Sequence, residues 1–317
     1  MLKYKIYVKI LLLMLTGIFG GAYIYIYIYA KSYPIPIFNR VSLDTKLMFL
    51  RDIKDKESID TIIIGSSIGL NNVQGIVLEE SSIKVKHALN ISAFSMVTLQ
   101  IEQFLEIISL FPNVSRIIYS VQFPDFALPL VFENYNIDFI KSYINLDKES
   151  IDITYSFYAY KYFIQCLKYH HEWQDLMLNN RYTYLGFDRT GSAPLHVYGN
   201  NISKKRWSIP HSSSPIKESY LALERMIKKA KKEGIEFYLV IQPYRAALVK
   251  KSEHVRSTLI SFDQDAKKIV LDNGGKLLNL HKQLHLSDDF FADRTHLNDK
   301  GSAITSKAIG QFIDKNE

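Results

Sequence analysis

With a single cysteine in 317 residues, Cys166, the chain can form no intrachain disulfide and no multi-cysteine metal site. Cys166 lies in the apolar helical pattern YFIQCLKY and reads as a buried core thiol. Repeats and low-complexity tracts are also missing, apart from one Ile/Tyr run. The histidines suggest no metal centre. YHHEW (169–173) lacks the H-E-x-x-H order, and His281 and His285, near Asp288 and Asp289, follow a strand, where helical ligand spacing fails. Neither metal nor cofactor is expected. Positive charge is modest, a net +7, and much of it sits in KKAKKEG (228–234), VKK (249–251) and SKKR (203–206). These read as solvated faces, and no RNA- or DNA-binding signature accompanies them.

Apolar residues make up 47% of the chain and aromatics 13%, ample for a large core, so global disorder is excluded. Lys3, Lys5 and Lys9 precede an uncharged run from Ile10 to Ala30. In a helix those residues span roughly 31 Å, the thickness of a bilayer core. The alternating YIYIYIY hints at a strand, but an open strand in lipid leaves its backbone unpaired, so helix is expected. The rival reading, a cleaved signal peptide, suits the run poorly: it is long, and Ile28 would stand three residues before the cut. An uncleaved single-pass anchor is expected, with residues 1–9 cytoplasmic and everything after Lys31 outside.

Residues 31–57 form a Pro-containing spacer and a short polar helix over 43–55. From residue 58 to 317, apolar strands alternate with helical segments. Strands are expected at 58–65, 83–91, 115–123, 235–243 and 275–281. Helices are expected at 96–111, at 214–234 with Ser214 as cap and Gly234 as stop, at about 254–273, and at 299–315 with Asp299 as cap. This rhythm gives an α/β fold, a five-stranded parallel sheet covered on both faces. Residues 124–213, rich in Tyr and Phe, break the rhythm and read as an insertion between the third and fourth strands. Asn-x-Ser occurs at Asn90, Asn113 and Asn201, a glycosylation pattern whose use depends on a host that the sequence does not name.

In an open parallel sheet, ligands bind beyond the carboxyl ends of the strands. Gly65-Ser66-Ser67 ends the first strand there. A serine needs a base, and the base needs a third group to orient it. FFADRTHLNDKG (290–301) offers both, with Asp293 and His296 three apart just ahead of the last helix. Arg245, after Pro243 at the end of the fourth strand, suggests either an anionic-substrate contact or a surface salt bridge.

IIIGSSIG and DRTHLNDKG resemble the first and last blocks of the SGNH (GDSL-like) hydrolases, in layout over about residues 58–315. The resemblance implies a flavodoxin-like, three-layer SGNH fold with Ser67 as nucleophile, His296 as base and Asp293 as acid. The family's Gly-Asp-Ser stands here as Gly65-Ser66-Ser67, with Ser66 either structural or part of the oxyanion and substrate-binding set with Ser95, Gln122 and Arg245. Ser95 falls at the place of the family's oxyanion-hole Gly, and Gln122 stands for its Asn. Anchor, outward domain and GSS block together are similar to membrane-linked SGNH acyltransferases, such as D-alanyl transfer and alginate O-acetylation proteins. They imply acyl transfer to a cell-envelope polysaccharide, beside a multi-pass membrane acyltransferase. A deacylating esterase and a non-catalytic envelope scaffold are the alternatives.

Overall fold

The computed structural model describes residues 2–29, 41–127, 135–145, 187–201, 216–249 and 252–316. Two compact units divide the chain: residues 1–51 with 143–182, and residues 52–142 with 183–317. Cys166 and YHHEW lie outside the described residues.

The first unit opens with a long helix, α1 (Leu2–Tyr29). It continues as a helix through the Ile/Tyr alternation. Tyr4–Ile24 is long and apolar enough to cross a membrane, and none of it is buried. It starts nearer the N-terminus than the expected Ile10 and takes in Lys5 and Lys9. The polar helix follows as α2 (Val41–Asp52).

The second unit carries five parallel strands: β1 (Thr61–Gly65), β2 (Ala88–Asn90), β3 (Arg116–Val121), β4 (Glu236–Ile241) and β5 (Lys276–Asn279). Their order is β2-β1-β3-β4-β5, the flavodoxin-like arrangement, with β1 and β3 adjacent at the point where strand order reverses. β1 is buried at every position, which is why its sequence runs unbroken through Thr-Ile-Ile-Ile. Ile63, Ile118, Tyr238, Val240 and Leu278 face one layer, packed with Val73, Leu78, Ile309 and Ile313. That layer holds α4 (Gly75–Ser81) and α8 (Asp299–Lys315). The opposite face is covered by α5 (Thr98–Phe104), α6 (Lys217–Lys232) and α7 (Glu253–Asp272). There Phe126 packs on Tyr119, Tyr220 and Phe262. Each fully buried large apolar side chain contributes about 1.5–3 kcal/mol, and the two faces together form the core.

Several expected boundaries move, each for a local reason. β2 is only three residues long because the segment before it spends its N–H groups on carboxylates. Ile83 donates to Asp314, and Lys86 and His87 donate to Asp60. The helix expected over 96–111 is α-helical to Phe104 and then tightens into a 3₁₀ turn over Leu105–Leu110, ahead of Pro112. α6 begins at Lys217 with Ile216 as its cap, not at Ser214, which lies outside the described residues. Asn298, not Asp299, caps α8, its side chain accepting the N–H of Gly301 at 3.0 Å.

The tail of the expected insertion belongs to the sheet unit. Thr190 O accepts the N–H of Asn90 at the β2 edge, and Leu195 bridges to Asn298. Asn90 is fully buried, donating to Gly69 O and Ser192 Oγ, so the glycosylation reading fails there.

Candidate active site

The chain leaves β1 through two close approaches that only glycine permits. A Cβ on Gly65 would stand 2.5 Å from Ser120 O of β3, and one on Gly69 would collide with Ser92 Oγ after β2. Between them Ser67 opens a short helix, α3 (Ser67–Asn72), pressed onto the carboxyl end of the sheet. Ser66 is its cap, with Oγ accepting the Ile68 N–H at 3.2 Å. The first serine therefore shapes the turn, and the second, half-exposed, presents its hydroxyl.

Opposite it stands a tight loop that closes on itself. Ala292 N–H donates to His296 O at 2.9 Å, and Phe291 bridges antiparallel to Leu297. This closure turns the Asp293 and His296 side chains the same way, as the D-x-x-H spacing requires. His296 Nδ1 lies 2.8 Å from Asp293 Oδ2, and His296 Nε2 lies 2.8 Å from Ser67 Oγ, across 229 residues of sequence. With its Nδ1–H given to Asp293, the imidazole presents Nε2 as the acceptor for the Ser67 hydroxyl. Asp293 Oδ1 also accepts the N–H groups of Thr295 and His296, both at 2.8 Å. Burial pushes the Asp293 carboxyl up, but the His296 hydrogen bond, the His296 charge and these backbone donors outweigh it. They hold it well below the usual carboxylate range.

The remaining sequence candidates fall into place differently. Ser95 lies exposed in the loop after β2 with φ +59°, the one non-Gly residue among those described in the left-handed region. Glycine is favoured there, and such strain gathers at functional sites. Gln122, expected as an oxyanion donor, cannot serve as one. It is fully buried and gives its amide hydrogens to Pro243 O at 2.8 Å and Thr295 O at 3.2 Å. It ties the ends of β3 and β4 to the His296 loop instead. Arg245 is not an open anion site: its guanidinium is buried and paired with Asp288 at 2.7 Å, close enough for its field to reach Asp293. His281 accepts the Tyr244 N–H on Nδ1 at 3.3 Å and packs edge-on against that ring. Its pKa is lowered, chiefly by burial.

No family model matches the chain, and no curated protein matches it either. Solved structures do. An acetyl xylan esterase, 13% identical, covers 80% of this chain and 100% of its own with a TM-score of 0.43. A protein described as an acylhydrolase from Bacteroides fragilis, 11% identical, covers 82% of this chain and 89% of its own with a TM-score of 0.41. Likenesses this distant transfer no chemistry.

Two participants escaped the sequence reading. Asn72 grips the residues on either side of His296, its Oδ1 accepting the Leu297 N–H at 2.9 Å and its Nδ2 donating to Thr295 O at 3.4 Å. Asp125, in the QFPD that follows β3, is a buried carboxylate beside Ser66. The aspartate was visible beside Gln122, but nothing in its spacing marked it. Asn72 closes the GSSIGLNN stretch, and only the fold brings it to residue 297.

Proposed function

We propose that this chain is a membrane-anchored serine acyltransferase working on the outer side of a membrane. The observation that supports it best is the unbroken hydrogen-bond chain Ser67–His296–Asp293 at the carboxyl end of the sheet. In the first step Ser67 Oγ attacks the carbonyl carbon of an acyl ester while its proton passes to His296 Nε2. Asp293 keeps the ring oriented and steadies the imidazolium. The oxyanion is held by the backbone N–H groups of Ser67 and Ser95. The carbonyl re-forms, the ester C–O bond breaks, and the departing alcohol takes the proton from His296, leaving acyl-Ser67. In the second step an acceptor hydroxyl gives its proton to His296, attacks the acyl carbon and carries the acyl group away, and the proton returns to Ser67.

An exposed apolar N-terminal helix argues for a tether, and the lysines at its start for a cytoplasmic N-terminus. A tether favours a fixed, envelope-bound acceptor: the hydroxyls of a cell-envelope polysaccharide, with an acyl donor supplied through a multi-pass membrane acyltransferase. The full-length chain in detergent, given p-nitrophenyl acetate and a sugar oligomer, is expected to acylate the sugar in preference to water. Release of acetate alone would favour a deacylating esterase. Failure of a fluorophosphonate probe to modify Ser67 would leave a non-catalytic scaffold.

A further inference from the structure

A cavity of about 260 Å³ opens beyond the carboxyl ends of β4 and β5, where Ile241 and Asn279 close those strands. Ser67, Asp293 and His296 are not among its lining residues. Its walls are mainly apolar: Ile241 and Tyr244 from the end of β4, Val249 from the short helix that follows, and Leu259 and Phe262 from α7. Open parallel sheets take their ligands at this end. A concave apolar pocket with a few polar groups to fix orientation is the usual form of a small-molecule site. At roughly 30 Å³ for each water-sized group, this one has room for about eight or nine non-hydrogen atoms.

The charged side chains of the lining are already paired. Asp263 accepts from Asn279 Nδ2 on one oxygen and from Lys282 Nζ on the other, and Arg256 is paired with Glu253. His281 is different. The Tyr244 N–H donates to its Nδ1 at 3.3 Å, so that nitrogen bears no proton, and the ring is the neutral tautomer with its hydrogen on Nε2. The ring is held edge-on against Tyr244, with centroids 5.0 Å apart. Burial lowers its pKa, joined by the His285 and Lys282 charges against that of Asp263, in agreement with a neutral imidazole. The Nε2–H has no hydrogen-bond partner among the described residues, and it is not sealed away. One fixed donor is therefore left at the wall of an apolar cavity.

We propose that this cavity is a second binding site, taking a small neutral carbonyl compound whose oxygen accepts the His281 Nε2–H and whose alkyl chain lies against Leu259 and Phe262. The polar chemistry selects the class. A carbonyl brings only an acceptor, which the donor satisfies. A hydroxyl would carry its own donor into apolar walls and lose that group's hydration. An anion would have to draw Lys282 away from Asp263 and leave that carboxylate short of a partner. The site is independent of the serine chemistry proposed above, and a ketone fills it as well as an ester does.

The test uses the full chain in detergent and a short alkyl ketone carrying a diazirine, which loses nitrogen gas on irradiation and leaves a carbene that inserts into a neighbouring bond. Mass spectrometry then locates the label. It is expected on the stretches 256–263 and 279–282, to be suppressed by excess octan-2-one but not by octanoate, and to be unchanged in Ser67→Ala. His281→Leu should lower labelling there about tenfold, the scale of one hydrogen bond in an apolar site, while His281→Gln, which keeps an amide donor, should retain most of it. Leu259→Trp, which fills the cavity, should abolish it. Thermal melts confirm that each variant is folded, and competition in the wild type decides the matter where one is not. Absence of label from these stretches, or label that ignores octan-2-one or survives Leu259→Trp, overturns the site. Equal suppression by octanoate overturns the neutral class in favour of an anion held by Lys282 and Arg256. Undiminished labelling of His281→Leu overturns the role of the imidazole donor.

Discussion

Asn72 holds Leu297 by its backbone, Oδ1 to N–H, at 2.9 Å, and so anchors the imidazole-bearing loop to the helix that begins with the nucleophile. Its backbone carbonyl accepts from Thr305 Oγ1 at 2.8 Å, tying α3 to α8 as well. The Ser67–His296 distance is thus set by a crosslink five residues from one partner and one residue from the other. Asn72→Ala removes a buried partner from the Leu297 N–H and is expected to cost about 1–3 kcal/mol of stability. It should also slow ester hydrolysis about tenfold or more, through loss of alignment. A fall in kcat with KM little changed would show that alignment and not binding was lost. Unchanged kcat would mean the loop is held by its own closure.

Gly69 and Ser92 offer a steric test of the same turn. Any Cβ on Gly69 meets Ser92 Oγ and lies 3.2 Å from Ser92 Cβ. Gly69→Ala is expected to destabilise by about 1–3 kcal/mol as overpacking. Ser92 Oγ is buried without a hydrogen-bond partner, so Ser92→Gly removes no satisfied bond and clears the space. The double variant should recover most of the lost stability in a chemical denaturation series. Additive losses would show that the clash is relieved elsewhere.

What could be read from the sequence follows from how local each signal is. β1, β3 and β4 announce themselves because strands buried on both faces must be apolar throughout, and the D-x-x-H loop because its geometry is complete within a few residues. β2 misled because its leading residues look strand-like but are claimed by the Asp60 and Asp314 carboxylates, far away in sequence. Gln122 was misjudged for the same reason. Its residue type suited an oxyanion donor, but its hydrogens go to Pro243 and Thr295, partners that only the folded sheet supplies. Asp125 gave no sign because a carboxylate after a strand is ordinary until burial makes it otherwise.

Two aspartates of the site should shift stability with pH in opposite directions. Asp293 has a folded pKa below its unfolded value, so the folded state favours its ionised form. Its contribution is fully present above about pH 4 and is lost as pH falls below that. Asp293→Asn is therefore expected to lower the melting temperature at neutral pH and to lose its disadvantage in acid. It should also cut turnover by about 10³-fold or more, since His296 loses the acceptor that fixes its tautomer. Asp125 has a folded pKa raised to about 6 from 3.8, so its ionised form is the destabilising one. Asp125→Asn should raise the melting temperature above about pH 6 and lose that advantage as pH falls toward about 4. Melting curves of both variants against wild type from about pH 2 to about pH 8 decide the matter. Parallel shifts would contradict it.

Ser95 separates backbone from side chain in the proposed oxyanion hole. Its φ of +59° is one a serine adopts only under strain, and its side chain is exposed. If only the N–H matters, removing Cβ relieves strain and leaves the donor in place. Ser95→Gly is then expected to shift stability by under about 1 kcal/mol, relief of strain partly offset by the greater freedom of glycine in the unfolded chain. Ser95→Pro deletes the N–H and demands φ near −65°, about 120° away from the observed value. It should depress ester turnover by about 10²-fold or more, the scale expected for losing one oxyanion donor, while fluorophosphonate still marks Ser67 at a reduced rate. Full turnover in Ser95→Pro would remove the loop after β2 from the chemistry and leave the Ser67 N–H as the principal donor.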